Sequence, residues 1–564
     1  MTFAEYPYIR PHLTRLCKTF DTLIKRFENV ETYEAAIDIL KKINTIRRDF
    51  SSAATIGQIR HSIDTNDDFY DAENQFYDEN SPTFEALTTE FYKKLIVHRF
   101  RKDLEKSFGE QLFIIAELQI KTFQPTILPF LQEENKLASE YAKIKATAQI
   151  PFQGENYNLS TLQPLEISPD RATRKAATEA KWDFFQNRAQ QVEYIYDKAV
   201  KKRHKIAKEL GYKNFVDLGY TRMLRSDYNA PMVANFRKQV AQYIVPLTSA
   251  LYERQRKRLK INKLYIYDEE FRFPSGNPTP KGTPADILNA ADQMYRELSP
   301  DTDKFFQFMR TNGLMDLVAK DGKATGGYCT FIGKYKAPYI FSNFNGTSGD
   351  IDVLTHEAGH AFQVFSSRNK TISEYHWPTY EACEIHSMSM EFFTWPWMNL
   401  FFGEDTEKYH FSHMVASLQF LPYGVAVDEF QHFVYENPTA TPSVRNQKWR
   451  EIEQKYLPHR DYDGIPFLEK GGFWQKQSHI FTTPFYYIDY TLAQICAFQF
   501  WKKDRQNHRK AWADYVRLCK AGGSMSFLKL VELAGLRSPF EDGCVESVVG
   551  DMIKWLDSID DSPF

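Results

Sequence analysis

Residues 337–365 read APYIFSNFNGTSGDIDVLTHEAGHAFQVF, and this stretch decides the reading of the chain. Its period changes midway. Ala337–Phe344 is a β-type run closed by Asn345-Gly346, and Tyr328–Ile332 just before it is another. From Ile351 onward, Ile351, Leu354, Ala358, Ala361, Phe362 and Phe365 recur at helical spacing, with Ser348 or Asp350 able to cap the start. That helix carries His356-Glu357-Ala358-Gly359-His360, an H-E-x-x-H pattern. His356 and His360 fall one turn apart on one face, where two imidazoles can share one metal ion. Glu357 is rotated by about a quarter turn, so it can reach a metal-bound water without being a ligand. Burying these three polar side chains in so apolar a segment without a common purpose would cost several kcal/mol, on the order given for unpaired polar groups.

A catalytic zinc needs a third protein ligand and one open position. In one class of zinc peptidases it is a His at the end of H-E-x-x-H-x-x-G-x-x-H. Here Gln363 and Ser366 occupy the Gly and His positions, which excludes that class. The helical stretch TYEACEIHSMSMEFF at 379–393 is the next source, and offers Glu381, Glu384, His386 and Glu391. Spacing does not choose between Glu384 and Glu381 or His386. Asp352 precedes His356 by one turn. It suits either an acceptor for an imidazole N–H or an acid at a helix N-terminus.

Working outward, residues 1–145 read as successive helices, with Phe84–Phe113 as one long example. Residues 147–167 suggest a small hairpin about Gly154-Glu155-Asn156, and in Ser168-Pro169-Asp170 the Ser reads as an N-cap before a Pro at the first helical position. A boundary near residue 165 divides an N-terminal helical lobe, 1–165, from a segment, 166–564, that carries the motif. Residues 263–283 form a short extended segment and a Pro/Gly-rich loop, a surface connection or a lid. Pro338 near the start of the Ala337–Phe344 run predicts an edge strand, to which an extended peptide could add.

Composition supports a mainly α protein. Gly is 25 of 564 residues, about 4% against a usual ~7%. With 71 basic and 73 acidic residues the net charge is −2, which argues against nucleic acid or an anionic membrane as partner. The basic run at 201–205 is short and reads as a solvated helix face. Six Cys without a C-x-x-C pair, and an N-terminus with no apolar signal region, predict a cytoplasmic protein. No apolar run is long enough to span a bilayer.

HEAGH followed by Glu384-Ile-His-Ser-Met-Ser-Met-Glu391 resembles the thimet-oligopeptidase superfamily of zinc peptidases, and the Glu-Ile start looks most like its oligoendopeptidase F branch. His479-IFTTPF-Tyr486-Tyr487-Ile-Asp-Tyr490 is a third matching segment. The resemblance covers residues from about 165 to 564, and more loosely the helical N-terminal part. It implies a mainly α, two-lobed fold with a deep central channel and a small β-sheet beside the H-E-x-x-H helix. It implies one Zn2+ on His356, His360 and Glu384, with Glu391 orienting the site from behind. It points to His479, Tyr487 and Tyr490 as donors to the developing oxyanion, with Tyr486 one residue out of register. The residues agree in part: Tyr487, Tyr490 and Gln494 share one helical face, though such aromatic faces usually pack a core.

The leading expectation is a zinc endopeptidase acting on short unfolded peptides, with Glu357 as general base; the sequence leaves its oligomeric state open. A zinc carboxypeptidase of related helical fold would need an Arg for the substrate carboxylate, such as Arg445 or Arg460. A non-catalytic peptide-binding protein with a structural metal would need a fourth ligand and no base.

Overall fold

The computed structural model describes residues 1–564. The chain is mainly α-helical, with one two-stranded and one three-stranded sheet. Helices Leu13–Glu28, Tyr33–Ile63 and Asp68–Ile96 pack around their own apolar core, in which Phe20 and Phe27 are completely buried. Truncating either to Ala would cost about 3–5 kcal/mol. A larger core of 111 buried residues runs through the rest of the molecule.

The stretch 84–113 is divided, against the expectation of one helix. Asp68–Ile96 ends, then Arg101–Phe108 and Gln111–Ile120 follow. His98 makes the first break: its Nδ1 accepts from the Phe100 N–H, 3.2 Å, and its Nε2 donates to the Phe27 carbonyl, 2.8 Å. Gly109, at φ +85°, makes the second, in a conformation that favours glycine.

Strands β1 (Ile150–Phe152) and β2 (Glu155–Tyr157) pair antiparallel across Gln153-Gly154. Asp170, not Ser168, caps the helix Arg171–Glu209, accepting from the Thr173 N–H at 2.9 Å. The connection at 263–283 is pinned. Gln255 Nε2 donates to the carbonyls of Asp268, Glu269 and Phe271, and Phe271 and Phe273 are buried. No helix is long and apolar enough to cross a membrane.

The second sheet comprises β3 (Met315–Val318), β4 (Tyr328–Ile332) and β5 (Ala337–Phe344) in the order β3-β5-β4. The strand carrying Pro338 is therefore central, not an edge. Its partner β3 joins only at the level of Ile340, whose N–H donates to the Leu314 carbonyl at 2.9 Å. Pro338 lies two residues earlier on the same side, where no ladder bond is required of it. The free edge next to the motif is β4, entered through the exposed Gly326-Gly327.

From β5 the chain turns at Gly346 (φ +86°) into the motif helix, Gly349–Ser367. Asp350 fastens that turn, accepting from the N–H groups of Asn345 and Gly346 at 2.9 Å each. A return helix, Tyr380–Phe393, packs on the motif helix and on the long helix Tyr487–Ala521. The link between motif and return helices is gripped by the N-terminal core. Ile372 and Tyr375 are buried in that core, Tyr375 Oη donates to the Phe108 carbonyl at 2.6 Å, and Arg47 Nη1 donates to Glu374 Oε1 at 2.7 Å.

Candidate metal centre and active site

The motif helix presents His356 and His360 with ring centroids 5.0 Å apart. The return helix brings Glu384 to both: its Oε2 lies 3.1 Å from His356 Nε2 and 3.3 Å from His360 Nε2. One donor atom from each residue falls within 4.8 Å of the others. Two imidazole nitrogens and a carboxylate oxygen suit a catalytic zinc site.

The surroundings fit a cation. Burial pushes Glu384 up, but His360 and His356 outweigh it and hold the carboxyl well below its ordinary value. Burial pulls the His356 pKa down, but Glu384 and Glu391 outweigh it and raise it, so two carboxylates favour a cation at this imidazole. Glu357 is buried, with Oε2 lacking any hydrogen-bond partner. Burial raises its pKa, against the pull of His356 and His360, as a proton-accepting role requires.

Glu381 and His386, which spacing could not separate from Glu384, do not converge on this point. Glu381 has both carboxyl oxygens buried without a partner. His386 faces Tyr515, and burial, with help from His360, lowers its pKa to about 3.

Behind the ligands runs a chain of hydrogen bonds that fixes proton positions. Trp395 Nε1 can only donate, and it lies 3.2 Å from His413 Nδ1. His413 therefore carries its proton on Nε2 and donates to Glu391 Oε2 at 2.8 Å. Glu391 Oε1 accepts from His356 Nδ1 at 2.7 Å. The lone pair of His356 is thereby left on Nε2, facing Glu384. Asp352 does not take the imidazole proton that its spacing allowed. It accepts from Tyr409 Oη at 2.6 Å, since Glu391 already holds Nδ1. Burial raises Asp352 to about 6 despite the nearby His413.

His479 stands in a second chain. Tyr423 Oη donates to Gln477 Oε1 at 2.8 Å, Gln477 Nε2 donates to His479 Nδ1 at 2.7 Å, and His479 Nε2 lies 3.2 Å from Tyr490 Oη. In this arrangement His479 donates to Tyr490, whose own O–H stays free to donate. Burial, aided by Lys145, lowers His479 to about 4, so it is neutral near pH 7. Tyr486, the residue one out of register, donates to Glu384 Oε1, and Ser387 Oγ donates to Oε2 at 2.8 Å. Tyr487 packs against His479 and Phe420 and makes no hydrogen bond to the protein. His413, Tyr409 and Gln477 were not among the sequence candidates.

A cavity of about 630 Å³ opens beside the motif helix, lined on the metal side by Gly326, Gly327, Val353 and His413. A Cβ on Gly327 would lie 2.9 Å from Val353 and 3.3 Å from Glu357 Oε1, so only glycine lets the backbone leading into β4 come this close to Glu357.

A mainly helical chain with an H-E-x-x-H centre completed by a carboxylate from the neighbouring helix has the architecture of a helical metallopeptidase. Residues 3–123 match the peptidase M3 N-terminal domain, and residues 165–276 and 294–549 match peptidase family M3. The chain belongs to peptidase family M3. A solved structure of PZ peptidase A with an inhibitor superposes with a TM-score of 0.99 at 58% identity, covering all of both chains. An oligoendopeptidase F homolog from Borreliella burgdorferi is 22% identical over 77% of this chain and 73% of its own length. Another, from Mycoplasma genitalium, is 20% identical over 90% of this chain and 88% of its own.

Proposed function

We propose that this peptidase is a zinc-dependent endopeptidase that hydrolyses internal bonds of short unfolded oligopeptides. The observation that carries the reading is the meeting of His356, His360 and Glu384 beside the unpartnered carboxylate of Glu357. His356, His360 and Glu384 would hold the ion, whose chemistry is Lewis-acid polarisation of the scissile carbonyl and activation of water. Within this reading 166–564 is the catalytic domain and 1–165 a helical lobe. All six cysteines are free, which supports a reducing, cytoplasmic setting.

An extended peptide pairs its backbone with the β4 edge, close to Glu357. Glu357 takes the proton of the attacking water and passes it to the leaving amine nitrogen. Tyr490, held by His479, donates to the oxygen on which negative charge develops; one such donor is worth about 3–4 kcal/mol. Glu391, held by His413, keeps His356 in the tautomer the site needs.

The two arginines named for the carboxypeptidase alternative are both paired with acids. Arg445 is buried against Asp197 at 2.9 Å and Arg460 is bound to Glu269 at 2.7 Å. Mass-spectrometric mapping of products from a mixed peptide library, with a chelated control, tests the reading. Internal cleavage that stops on chelation is the expected result. Removal of C-terminal residues alone, or cleavage indifferent to the chelator, would overturn it.

A further inference from the structure

The cavity beside the motif helix has cations in its walls, and most of them are already matched. Lys181 Nζ bonds Glu166 at 2.9 Å, Arg460 bonds Glu269 at 2.7 Å, and Arg272 lies 3.7 Å from Glu270. Lys476 and Lys145, which line the same cavity, have no acidic partner. Lys476 Nζ makes no hydrogen bond to the protein. It lies 4.2 Å from the ring centre of Phe473, 5.8 Å from Tyr423 and 6.0 Å from Trp182. Aromatic faces hold an ammonium group without neutralising it, so its charge stays available to an anion. Lys145 Nζ donates to the Lys476 carbonyl at 3.0 Å and to Ser478 Oγ at 2.7 Å, which fastens the same turn and leaves one N–H unused. This turn leads directly into His479, and Lys145 Nζ, bonded to Ser478, is close enough to that imidazole to help lower its pKa.

We propose that Lys476, with Lys145 beside it, binds a carboxylate group of the peptide substrate. The inference rests on the peptidase reading above and names a feature of its substrate. Walls with two unmatched cations favour a peptide that brings a negative group to that place, either its free C-terminal α-carboxylate or an Asp or Glu side chain. Gly326 and Gly327, which lead into β4, line the same cavity, so a peptide paired with β4 would bring its negative group toward the cation pair. Burial, with Lys181 next, lowers Lys476 to about 7 and Lys145 to about 8; a bound carboxylate would offset part of this cost.

The test uses quenched-fluorescence peptides of one neutral sequence, made with a free C-terminal acid or with an amide, and a further amidated set with a single Glu placed at each position in turn. The readout is the ratio of KM for the neutral amide to KM for the acidic peptide. A ratio of about ten or more is expected in the wild type. It should fall to near one in Lys476→Met and recover in Lys476→Arg. Preference for the free acid assigns the α-carboxylate, and preference for one Glu position assigns a side chain. Calorimetric binding of the same peptides to Glu357→Gln reads the anchor without turnover, so failure of the catalytic reading cannot mask it. A ratio near one in the wild type, or a ratio unchanged by Lys476→Met, would overturn the proposal.

Discussion

Gly359 of the motif helix lies in contact with the backbone of His386 on the return helix: a Cβ on Gly359 would sit 2.6 Å from the His386 carbonyl oxygen. The two helices cross at this glycine, one turn from His356 and two residues from Glu384. Gly359→Ala must therefore push them apart. The expected cost is about 1–3 kcal/mol, in the range for overpacking, together with weaker zinc binding because Glu384 moves with its helix. Thermal unfolding and chelator competition measure both. Wild-type values for both would mean that the crossing does not set the ligand geometry.

The chain from Trp395 through His413 and Glu391 to His356 carries a second prediction. His413→Phe keeps the volume of a ring but leaves Glu391 with one partner instead of two. Zinc affinity should fall about 10–100-fold, as when other outer partners of metal-bound histidines are removed. Glu391→Gln should act in the same direction. Chelator competition at fixed pH reads the affinity directly, and an unchanged value for both variants would contradict the positioning role.

How much of this was legible in the sequence depends on the range of the contact. His356, Glu357 and His360 sit within one turn, so helical periodicity placed them. Glu384, Glu381 and His386 could not be separated by spacing, because which face of the return helix meets the motif helix is settled by packing at Gly359. His413 and Tyr409 come from the helix Thr406–Glu436, and no local pattern says that this helix passes behind the ligands. Pro338 misled the reading of β5 because a proline is excluded from a central strand only where a neighbour needs its N–H, and β3 stops short of it.

The tyrosines should separate by their hydrogen bonds. Tyr490→Phe removes the group that His479 holds and should lower kcat by about 10²–10³ with a smaller change in KM. Tyr487→Phe, which breaks no bond within the protein, should cost less. Steady-state kinetics on one peptide for both variants decides this, and equal losses would contradict the assignment.

The grip of the N-terminal helices on the link between the motif and return helices is also testable. Arg47 and Glu374 are largely buried, and Tyr92 Oη also reaches the Glu374 carboxylate. Burial pushes Glu374 up, but Arg47 and Tyr92 outweigh it and keep it ionised. Glu374→Gln leaves the Arg47 charge poorly matched and should destabilise by about 3 kcal/mol or more. The melting temperature should drop, and hydrogen exchange should rise in both the 33–63 helix and the 371–379 link. A rise confined to one side would show that the contact does not couple them.

The cation pair gives a pH dependence of defined sign. The groups acting on Lys476 are Lys181 and Arg460, which lower it, and Glu166 and Glu270, which raise it; burial dominates and brings it to about 7. The ammonium is present below that value and lost above it. The preference for acidic over neutral peptides should therefore shrink as pH rises through about 7. Because it is a ratio, titration of groups common to both reactions cancels. A preference constant from pH 6 to 9 would contradict this.

The most direct test of the central claim measures bound zinc and peptide hydrolysis on one preparation of Glu357→Gln. The account predicts one zinc ion per chain, held as in the wild type by His356, His360 and Glu384, and no detectable hydrolysis. Hydrolysis near the wild-type rate with zinc bound would contradict the role of Glu357, and loss of zinc from this variant would contradict its separation from the ligand set.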